Sequence, residues 1–537
     1  MKQFINRRET VVTEALDGVL CTAQGRLGRL DGYPHIKVVV RTDWDKSRVA
    51  LVSGGGSGHE PSHASFVGEG MLSAAVCGDV FASPSVDAVL AGILAVTGEK
   101  GCLLIVKNYT GDRLNFGLAA ERARALGLKV RMVVIGDDVA LPELPQPRGV
   151  AGTLFIHKIA GALAAAGASL DEVSNTAERI SGQIASLGIS LDTCTIPGAP
   201  KEERIGPSMA ELGLGIHGEP GVEQITLPTA TEAMNIVINR LEPYSGKGPL
   251  VALLNNLGGC TSLEMSILAN ALMRLPIGTR IKGMIGPASL MTSLDMRGFS
   301  VSLFSPEDKD FDALMSTVEP QAWPGCRRTG PVKIVEVPEG LRPDNLVPSN
   351  NEQTGALIAE CCSILSEAEE DLNTLDTKSG DGDTGSTLAT AAKSLGKKIY
   401  QLPLADHSLL FQALSQELSE TMGGSSGVLL AIFFAAAADG GSNIQESLKN
   451  GLERIKQVGG AQVGDRTMID ALEPALAVLD QGLNVAAVAA RKGADGTALI
   501  TRAKAGRASY LSEESLAGYN DPGAEAVALL FENLASS

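Results

Sequence analysis

PEGLRPDNLVPSN, residues 338–350, is the stretch that divides this chain. Pro338, Pro343 and Pro348 stand among polar neighbours, a composition that favours extended backbone and offers no apolar face to bury. Stretched out, such a segment spans on the order of 40 Å, so the part that follows can dock on its own first half or on a partner subunit. On the N-terminal side, short β-branched runs alternate with helical patterns: Ile36 to Val40, Val49 to Val52, Leu103 to Val106, Val130 to Ile135, Leu250 to Leu254 and a last run, Val332 to Val337. That alternation predicts α/β units on a parallel sheet. From Glu352 onward the β-type runs stop, and Ala, Leu, Glu and Lys at helical spacing predict an all-helical bundle with its chemistry on the interhelix loops. The expected domains are an α/β half over 1–337, a linker over 338–350 and an all-α domain over 351–537.

At 537 residues the chain is too long for one core, and its 44% hydrophobic and 20% charged content is ordinary for a globular protein. A net charge of −17 argues against nucleic-acid and anionic-membrane partners, which select basic patches. Anionic substrates would need local Lys, Arg or metal to overcome that field. The eight cysteines form no C-x-x-C pair and no zinc spacing, and read as free thiols in a reducing cytosol. The first residues, MKQFINRRETVVTEAL, are charged where a signal peptide is apolar, and the longest apolar run, Val428 to Ala438, falls well short of a membrane span. The expectation is a soluble, cytoplasmic protein.

In the second half, LDTKSGDGDTGSTL (Leu375 to Leu388) gathers Asp376, Asp381 and Asp383 in a D-x4-D-x-D spacing. Carboxylates this close repel unless a cation sits among them. Glycines between them let backbone N–H groups approach a ligand, and Ser386 and Thr387 follow, a combination that suits Mg²⁺ held by carboxylates and substrate phosphates. It is not an EF-hand, because the places that would hold the turn glycine and the final glutamate hold Ser386 and Ala392. An acidic turn capping a helix that starts near Ser386 is the plain alternative.

Behind Val52 comes SGGGSGHEPSH, residues 53–63, and behind Val106 comes KNYTGDRLNFG, residues 107–117, two polar loops at strand ends that can face one crevice. Read alone, Asp112 also fits a helix N-cap. In ELGLGIHGEPG, residues 211–221, the glycines satisfy G-x-G-x-x-G, but Ser208 to Leu212 read as a short helix or loop and Pro220 follows, so the dinucleotide reading is rejected. His217 remains in a glycine-flanked loop, where a functional and a structural role are both open. MGGSSGVLL, residues 422–430, matches G-x-S-x-G, yet both flanks look helical, which fits phosphate binding at a helix N-terminus better than a hydrolase elbow. Two further polar loops are GDRTMID, residues 464–470, and AGRASYLSEES, which precedes Asp521-Pro522-Gly523. No GK[ST] tripeptide occurs, so a Walker P-loop is excluded.

Together SGGGSGHEPSH, GDVFASPS (residues 78–85), KNYTGDRLNFG, GIHGEPG, NNLGG, GDGDTGST, GGSSG, GDRTMIDAL and GRASYLSEES resemble the ATP-dependent dihydroxyacetone kinases that fuse substrate and nucleotide domains in one chain. The resemblance covers nearly the whole sequence. It implies an α/β substrate half of two subdomains, about 1–185 and 186–337, followed by an eight-helix antiparallel barrel, usually as a homodimer. It also implies that His217 binds the ketone as a covalent hemiaminal, that His59 and Asp112 handle the proton of the phosphorylated hydroxyl, and that Gly55, Gly56 and Lys107 contact substrate. Asp376, Asp381 and Asp383 then match the ligands of two Mg²⁺ ions bridging ATP phosphates. Gly385, Ser386, Thr387, Leu388, Gly424, Ser425, Ser426, Gly464, Thr467, Met468, Asp521, Pro522 and Gly523 match the nucleotide site. The implied acceptor is dihydroxyacetone, with glyceraldehyde as a further candidate. Some relatives cyclise a flavin dinucleotide, and some relatives of the substrate half bind ketone and regulate without turnover; the Asp triad disfavours the latter.

Overall fold

The computed structural model describes residues 3–142, 146–338, 346–441, 443–512 and 516–536, with the backbone alone at 425, 426 and 507. The chain forms two compact units, Met1–Lys333 and Ile334–Ser537. Most of the linker, 339–345, lies outside the described residues.

The first unit holds two sheets. One contains β1 (Leu27–Arg29), β2 (Val38–Arg41), β3 (Ala50–Ser57), β4 (Ala74–Val80), β5 (Cys102–Lys107) and β6 (Val130–Ile135), in the order β1-β2-β4-β3-β5-β6. Its centre, β4-β3-β5-β6, is parallel, and β1 and β2 add an antiparallel edge. Alternate residues of each strand face opposite layers. Ala50, Val52, Leu104 and Val106 meet α2 (Val86–Val96) and α3 (Thr110–Ala125), while Leu51, Leu103 and Ile105 meet α1 (Val11–Thr22), α4 (Thr153–Ala165) and α5 (Leu170–Ser181).

The second sheet contains β7 (Ile184–Ser190), β8 (Met209–Leu212), β9 (Glu223–Thr226), β10 (Leu250–Asn256), β11 (Ile281–Ala288), β12 (Gly298–Phe304) and β13 (Cys326–Arg328), in the order β13-β11-β10-β12-β7-β8-β9. One face buries α6 (Ala230–Leu241) and α7 (Ser262–Arg274). The other shares a core with the first sheet, where Phe155 of α4 meets Phe304 of β12 with ring centroids 5.5 Å apart. A short α8 (Asp308–Met315) closes that face.

Three expectations are corrected here. The second sheet is mostly antiparallel, only β10 and β11 running together; a strand buried on both faces reads as a continuous apolar run whatever its neighbours' direction. Ser208 to Leu212 is not helix or loop, because Met209–Leu212 pairs as β8. Val332 to Val337 forms no strand, and Val332, Ile334, Val335 and Val337 are exposed. Pro331 and Pro338 bracket that run, and β-branched residues supply a preference, not a partner edge.

The second unit is helical throughout its described residues: α9 (Glu352–Glu367), α10 (Glu369–Ser379), α11 (Thr384–Lys398), α12 (His407–Thr421), α13 (Gly424–Ala438), α14 (Ile444–Gly459), α15 (Ile469–Ala477), α16 (Leu483–Thr497) and α17 (Pro522–Ser536). Ala368 is the only residue between α9 and α10, so counted as one broken helix they leave eight. From α11 to α17 each helix packs on the next, and α17 returns to α9 and α10, which closes the ring. Ala471, Ala475, Ala486, Ala490, Ala494, Ala524 and Ala528 form one fully buried seam, where small side chains let α15, α16 and α17 approach closely. Among the described residues no helix is long and apolar enough to cross a membrane.

Candidate active-site residues

In the first unit, β3 carries the three glycines through to Ser57, so they are strand, not loop. Gly55 has φ +138°, and a Cβ there would lie 3.0 Å from Lys107 Nζ and 3.1 Å from Asp112 Oδ2. The missing side chain therefore leaves a gap between a donor at the end of β5 and an acceptor in the first turn of α3. At Gly56 a Cβ would press on the backbone of Phe81 and Ala82 at 2.8–2.9 Å. Asp112 is 3% exposed, and the N-cap position of α3 belongs to Tyr109, so capping does not account for it. Lys107 is fully buried, with Nζ 2.9 Å from His63 Nε2. Burial lowers its pKa against the opposing pull of Asp112.

His59 is buried behind β3, and its Nδ1 lies 2.8 Å from the carbonyl oxygen of Thr292. A carbonyl only accepts, so Nδ1 carries the proton and Nε2 the lone pair. That Nε2 is buried and has no hydrogen-bond partner among the described residues. Burial first, then the charge of Lys107, hold the imidazole well below its ordinary pKa, so it is neutral. In the β8–β9 loop, His217 places Nδ1 3.3 Å from Glu219 Oε1, and its backbone N–H donates to Glu219 Oε2 at 3.0 Å. The carboxylate assigns the Nδ1 proton in the same way, leaving the lone pair on Nε2. Burial works to raise the Glu219 carboxyl, but the hydrogen bond and charge of His217 outweigh it and leave it below the usual range. The His217 ring sits 4.3 Å from Tyr109, 4.9 Å from His59 and 5.3 Å from Phe81, all edge to face. Tyr109 Oη is also buried without a partner among the described residues. Two orphaned polar atoms beside one imidazole mark a place where a small polar ligand completes the hydrogen bonding.

In the second unit, Asp376 lies in the last turn of α10, and its Oδ2 accepts the N–H groups of Asp383 and Thr384 at 3.0 and 3.1 Å. One carboxylate oxygen from each of Asp376, Asp381 and Asp383 lies within 4.8 Å of the others, the first residue buried and the other two exposed. Asp383 occupies the N-cap position of α11 but makes no side-chain cap hydrogen bond, the helix start being held instead by Asp376. The donor set is all carboxylate oxygen with open sides, which fits Mg²⁺. Gly385, Ser386 and Thr387 lie in the first turn of α11 with Leu388 just behind, at the end where N–H groups and helix dipole favour anions. Ser386 Oγ accepts from Asn373 Nδ2 at 2.9 Å and lies 3.1 Å from Glu369 Oε1.

Gly464, Thr467 and Met468 precede α15, where Asp470 accepts the N–H groups of Gly464 and Thr467 at 2.6 and 2.8 Å. A Cβ on Gly523 would lie 3.3 Å from Met468 Cβ, so the Asp521-Pro522-Gly523 turn abuts this loop. Asp521 is half-buried, and desolvation pushes its carboxyl up to about 6. Gly424, with φ +75°, and the backbones of Ser425 and Ser426 open α13, while the two serine side chains lie outside the described residues. In AGRASYLSEES, residues 513–515 and the side chain of Arg507 also lie outside them. The structure thus groups His59, His217, Lys107, Asp112, Gly55 and Gly56; separately the Asp triad with the first turn of α11; and separately the 464–468 loop with the 521–523 turn.

Sequence reasoning missed Phe81, Tyr109, Glu219 and Thr292. Glu219 stood two residues beyond His217 within the quoted GIHGEPG, where a carboxylate beside a glycine-flanked histidine was the available signal. Thr292 contributes only its carbonyl, which every residue has, so no side-chain pattern could mark it.

Comparison with known proteins agrees with this architecture. The Dak1 domain matches residues 20–322 and the DAK2 domain residues 378–536. The dihydroxyacetone kinase of Citrobacter freundii is 47% identical over 99% of this chain and 99% of its own. The triokinase/FMN cyclase of Rattus norvegicus is 38% identical over 99% of this chain and 97% of its own. The crystal structure of the C. freundii dihydroxyacetone kinase in complex with AMP-PNP and Mg²⁺ aligns with a TM-score of 0.70 at 45% identity, covering 100% of this chain and 99% of that one. An α/β unit with a two-histidine pocket followed by a helical unit with a carboxylate triad defines a two-part phosphotransferase. The chain belongs to the family of ATP-dependent dihydroxyacetone kinases.

Proposed function

We propose that this enzyme transfers the γ-phosphoryl group of Mg·ATP to a terminal hydroxyl of dihydroxyacetone, with the ketone held on His217 as a hemiaminal. The observation that carries the reading is the pair of imidazoles, rings 4.9 Å apart, each with Nδ1 held by an acceptor so that Nε2 is the nitrogen left for the substrate. The His217 Nε2 lone pair attacks the C2 carbonyl carbon, a C–N bond forms, and the C=O π pair moves to oxygen. The alkoxide takes up the one proton that Nδ1 gives up, passed on by way of Glu219 and solvent, so Glu219 ends as a carboxylate and the net addition is neutral. The new hydroxyl donates to His59 Nε2, which accepts because its Nδ1 already donates to Thr292. A neutral acceptor at Nε2 is what the His59 tautomer supports. The terminal hydroxyl then fills the gap at Gly55, accepting from Lys107 and donating to Asp112, which takes its proton as phosphorus is attacked.

Asp376, Asp381 and Asp383 would hold two Mg²⁺ ions, which when bound neutralise the phosphate charge that builds during transfer. The first turns of α11 and α13 supply N–H groups to phosphate, and the 464–468 loop with the 521–523 turn would take the rest of the nucleotide. The family resemblance also supports a homodimer. A second reading, cyclisation of a flavin dinucleotide, is favoured by the 38% identity to the rat triokinase/FMN cyclase. It is tested by incubating enzyme and flavin dinucleotide without ketone, since that activity needs no acceptor hydroxyl.

His217→Ala is expected to bind dihydroxyacetone poorly and to narrow its preference over glycerol, which has no carbonyl to add to. Carbon-13 NMR of ketone labelled at C2 is the direct test. A bound carbon that becomes tetrahedral in wild type and is absent in the variant supports the adduct, and one that stays trigonal in wild type overturns it.

A further inference from the structure

Lys107 is fully buried, and a buried ammonium must place its three N–H bonds on acceptors. Among the described residues, the hydrogen bond of Nζ goes to His63 Nε2, at 2.9 Å. The remaining N–H bonds diverge from that one. Nζ also borders the gap at Gly55 that Asp112 Oδ2 borders from α3, each nearer than ordinary van der Waals contact, at 3.0 and 3.1 Å, to where a methyl on Gly55 would sit. His63 is a neutral acceptor: burial first, then the charge of Lys107, then His157 and His59, keep its imidazole well below its ordinary pKa. Accepting at Nε2 leaves its proton on Nδ1, which is buried without a partner among the described residues. The neighbouring His157 is tied off separately. Its Nε2 lies 3.1 Å from Ser53 Oγ, whose hydroxyl donates to the carbonyl of Ile105 at 2.7 Å.

We propose that His63 is the positioning residue of Lys107: it takes one N–H of the ammonium from behind and so turns the others toward the acceptor hydroxyl between Lys107 and Asp112. This rests on the reading of Lys107 and Asp112 as the groups that hold that hydroxyl. The choice of residue type has a physical reason. A carboxylate in place of His63 would neutralise the ammonium and compete with the substrate for it, whereas a neutral imidazole fixes direction and leaves the charge intact. The other groups facing Lys107 do not take this role. Cys77 on β4 is a thiol pushed up to about 12 by burial, Asp112 lies across the gap, and the Glu60 carboxylate accepts the N–H of Gly58.

The test compares His63→Leu, which has no acceptor, with His63→Gln, whose amide oxygen can reach the place of Nε2. In His63→Leu the ketone KM should rise roughly 10- to 100-fold, the range for losing a hydrogen bond to a charged group. The KM for Mg·ATP should stay unchanged. The alkaline limb of ketone binding should move to lower pH, because a buried ammonium without its acceptor gives up its proton earlier. His63→Gln should restore both. Should His63→Leu fail to fold, His63→Asn serves, since its shorter amide reaches only the Nδ1 position. A wild-type ketone KM and unmoved alkaline limb in the acceptor-free variant overturn the inference, as does a folded His63→Gln as defective as His63→Leu. Lys107→Met separates the two levels. If it binds and phosphorylates ketone normally, the reading of Lys107 itself fails; if it is defective while His63→Leu is not, the positioning role alone fails.

Discussion

The carboxylate of Asp112 is buried in the first turn of α3, yet Tyr109 holds the N-cap position and a missing Cβ at Gly55 opens space in front of Oδ2. A helix that does not use a buried carboxylate for its own end leaves it free for a proton. Asp112→Asn keeps the shape and removes the acceptor, so kcat should fall by roughly 10² to 10⁴ with little change in ketone affinity. Steady-state kinetics with saturating Mg·ATP, paired with ketone binding by NMR, separates the two quantities. An unchanged kcat would return Asp112 to a structural role. His59 and His217 depend on their neighbours in the same way, since Thr292 and Glu219 decide which nitrogen of each ring is available.

Elements carry a second set of consequences, seen at the end of β6. Asp137 accepts the N–H groups of Val150 and Gly152, each at 2.8 Å, and the hydroxyl of Ser186 on β7, so it ties the start of α4 to the second sheet. Burial pushes its carboxyl out of the ordinary aspartate range, up to about 6. The folded state therefore holds this proton more tightly than the unfolded chain, and stability is lost as pH rises from about 4 through 6. The shift corresponds to about 3 kcal/mol. Asp137→Asn should flatten that fall, which melting temperatures of both proteins between pH 4 and 7 would check. At this scale the sequence was readable where one signal sufficed. Val130–Ile135 is β6 as its β-branched run predicts, and the disappearance of such runs after Glu352 marks the helical unit. It was unreadable where pairing decides. Met209–Leu212 is too short to have a period, and becomes β8 because β7 and β9 flank it. Val332 to Val337 has the composition of a strand and no edge to join. The glycines of β3 look like a loop because they lack side chains, and lie in a strand because they let the neighbouring backbone and Lys107 come close.

Across the whole molecule, chemistry is divided between units with separate cores, a two-histidine pocket in Met1–Lys333 and a carboxylate triad in Ile334–Ser537. The division was legible because the Asp loop and the histidine loops lie on opposite sides of the proline-rich stretch; the His59 tautomer was not, because it hangs on the carbonyl of Thr292, far along the chain. At a net charge of −17 the chain repels ATP at long range, so a cation proposed at the triad would have to recruit the nucleotide locally. Asp383 is exposed, caps nothing and contributes one of three clustered oxygens. Its removal costs the fold little and the metal site a ligand. Asp383→Ala should therefore abolish ADP release while the tetrahedral carbon-13 signal of bound ketone persists, since substitutions in separate units act independently. Chelating Mg²⁺ from the wild type should do the same, reversibly. Turnover by Asp383→Ala at the wild-type rate under limiting Mg²⁺ would show that the triad is not the metal site; loss of the ketone signal in that variant would show that the two units are energetically coupled.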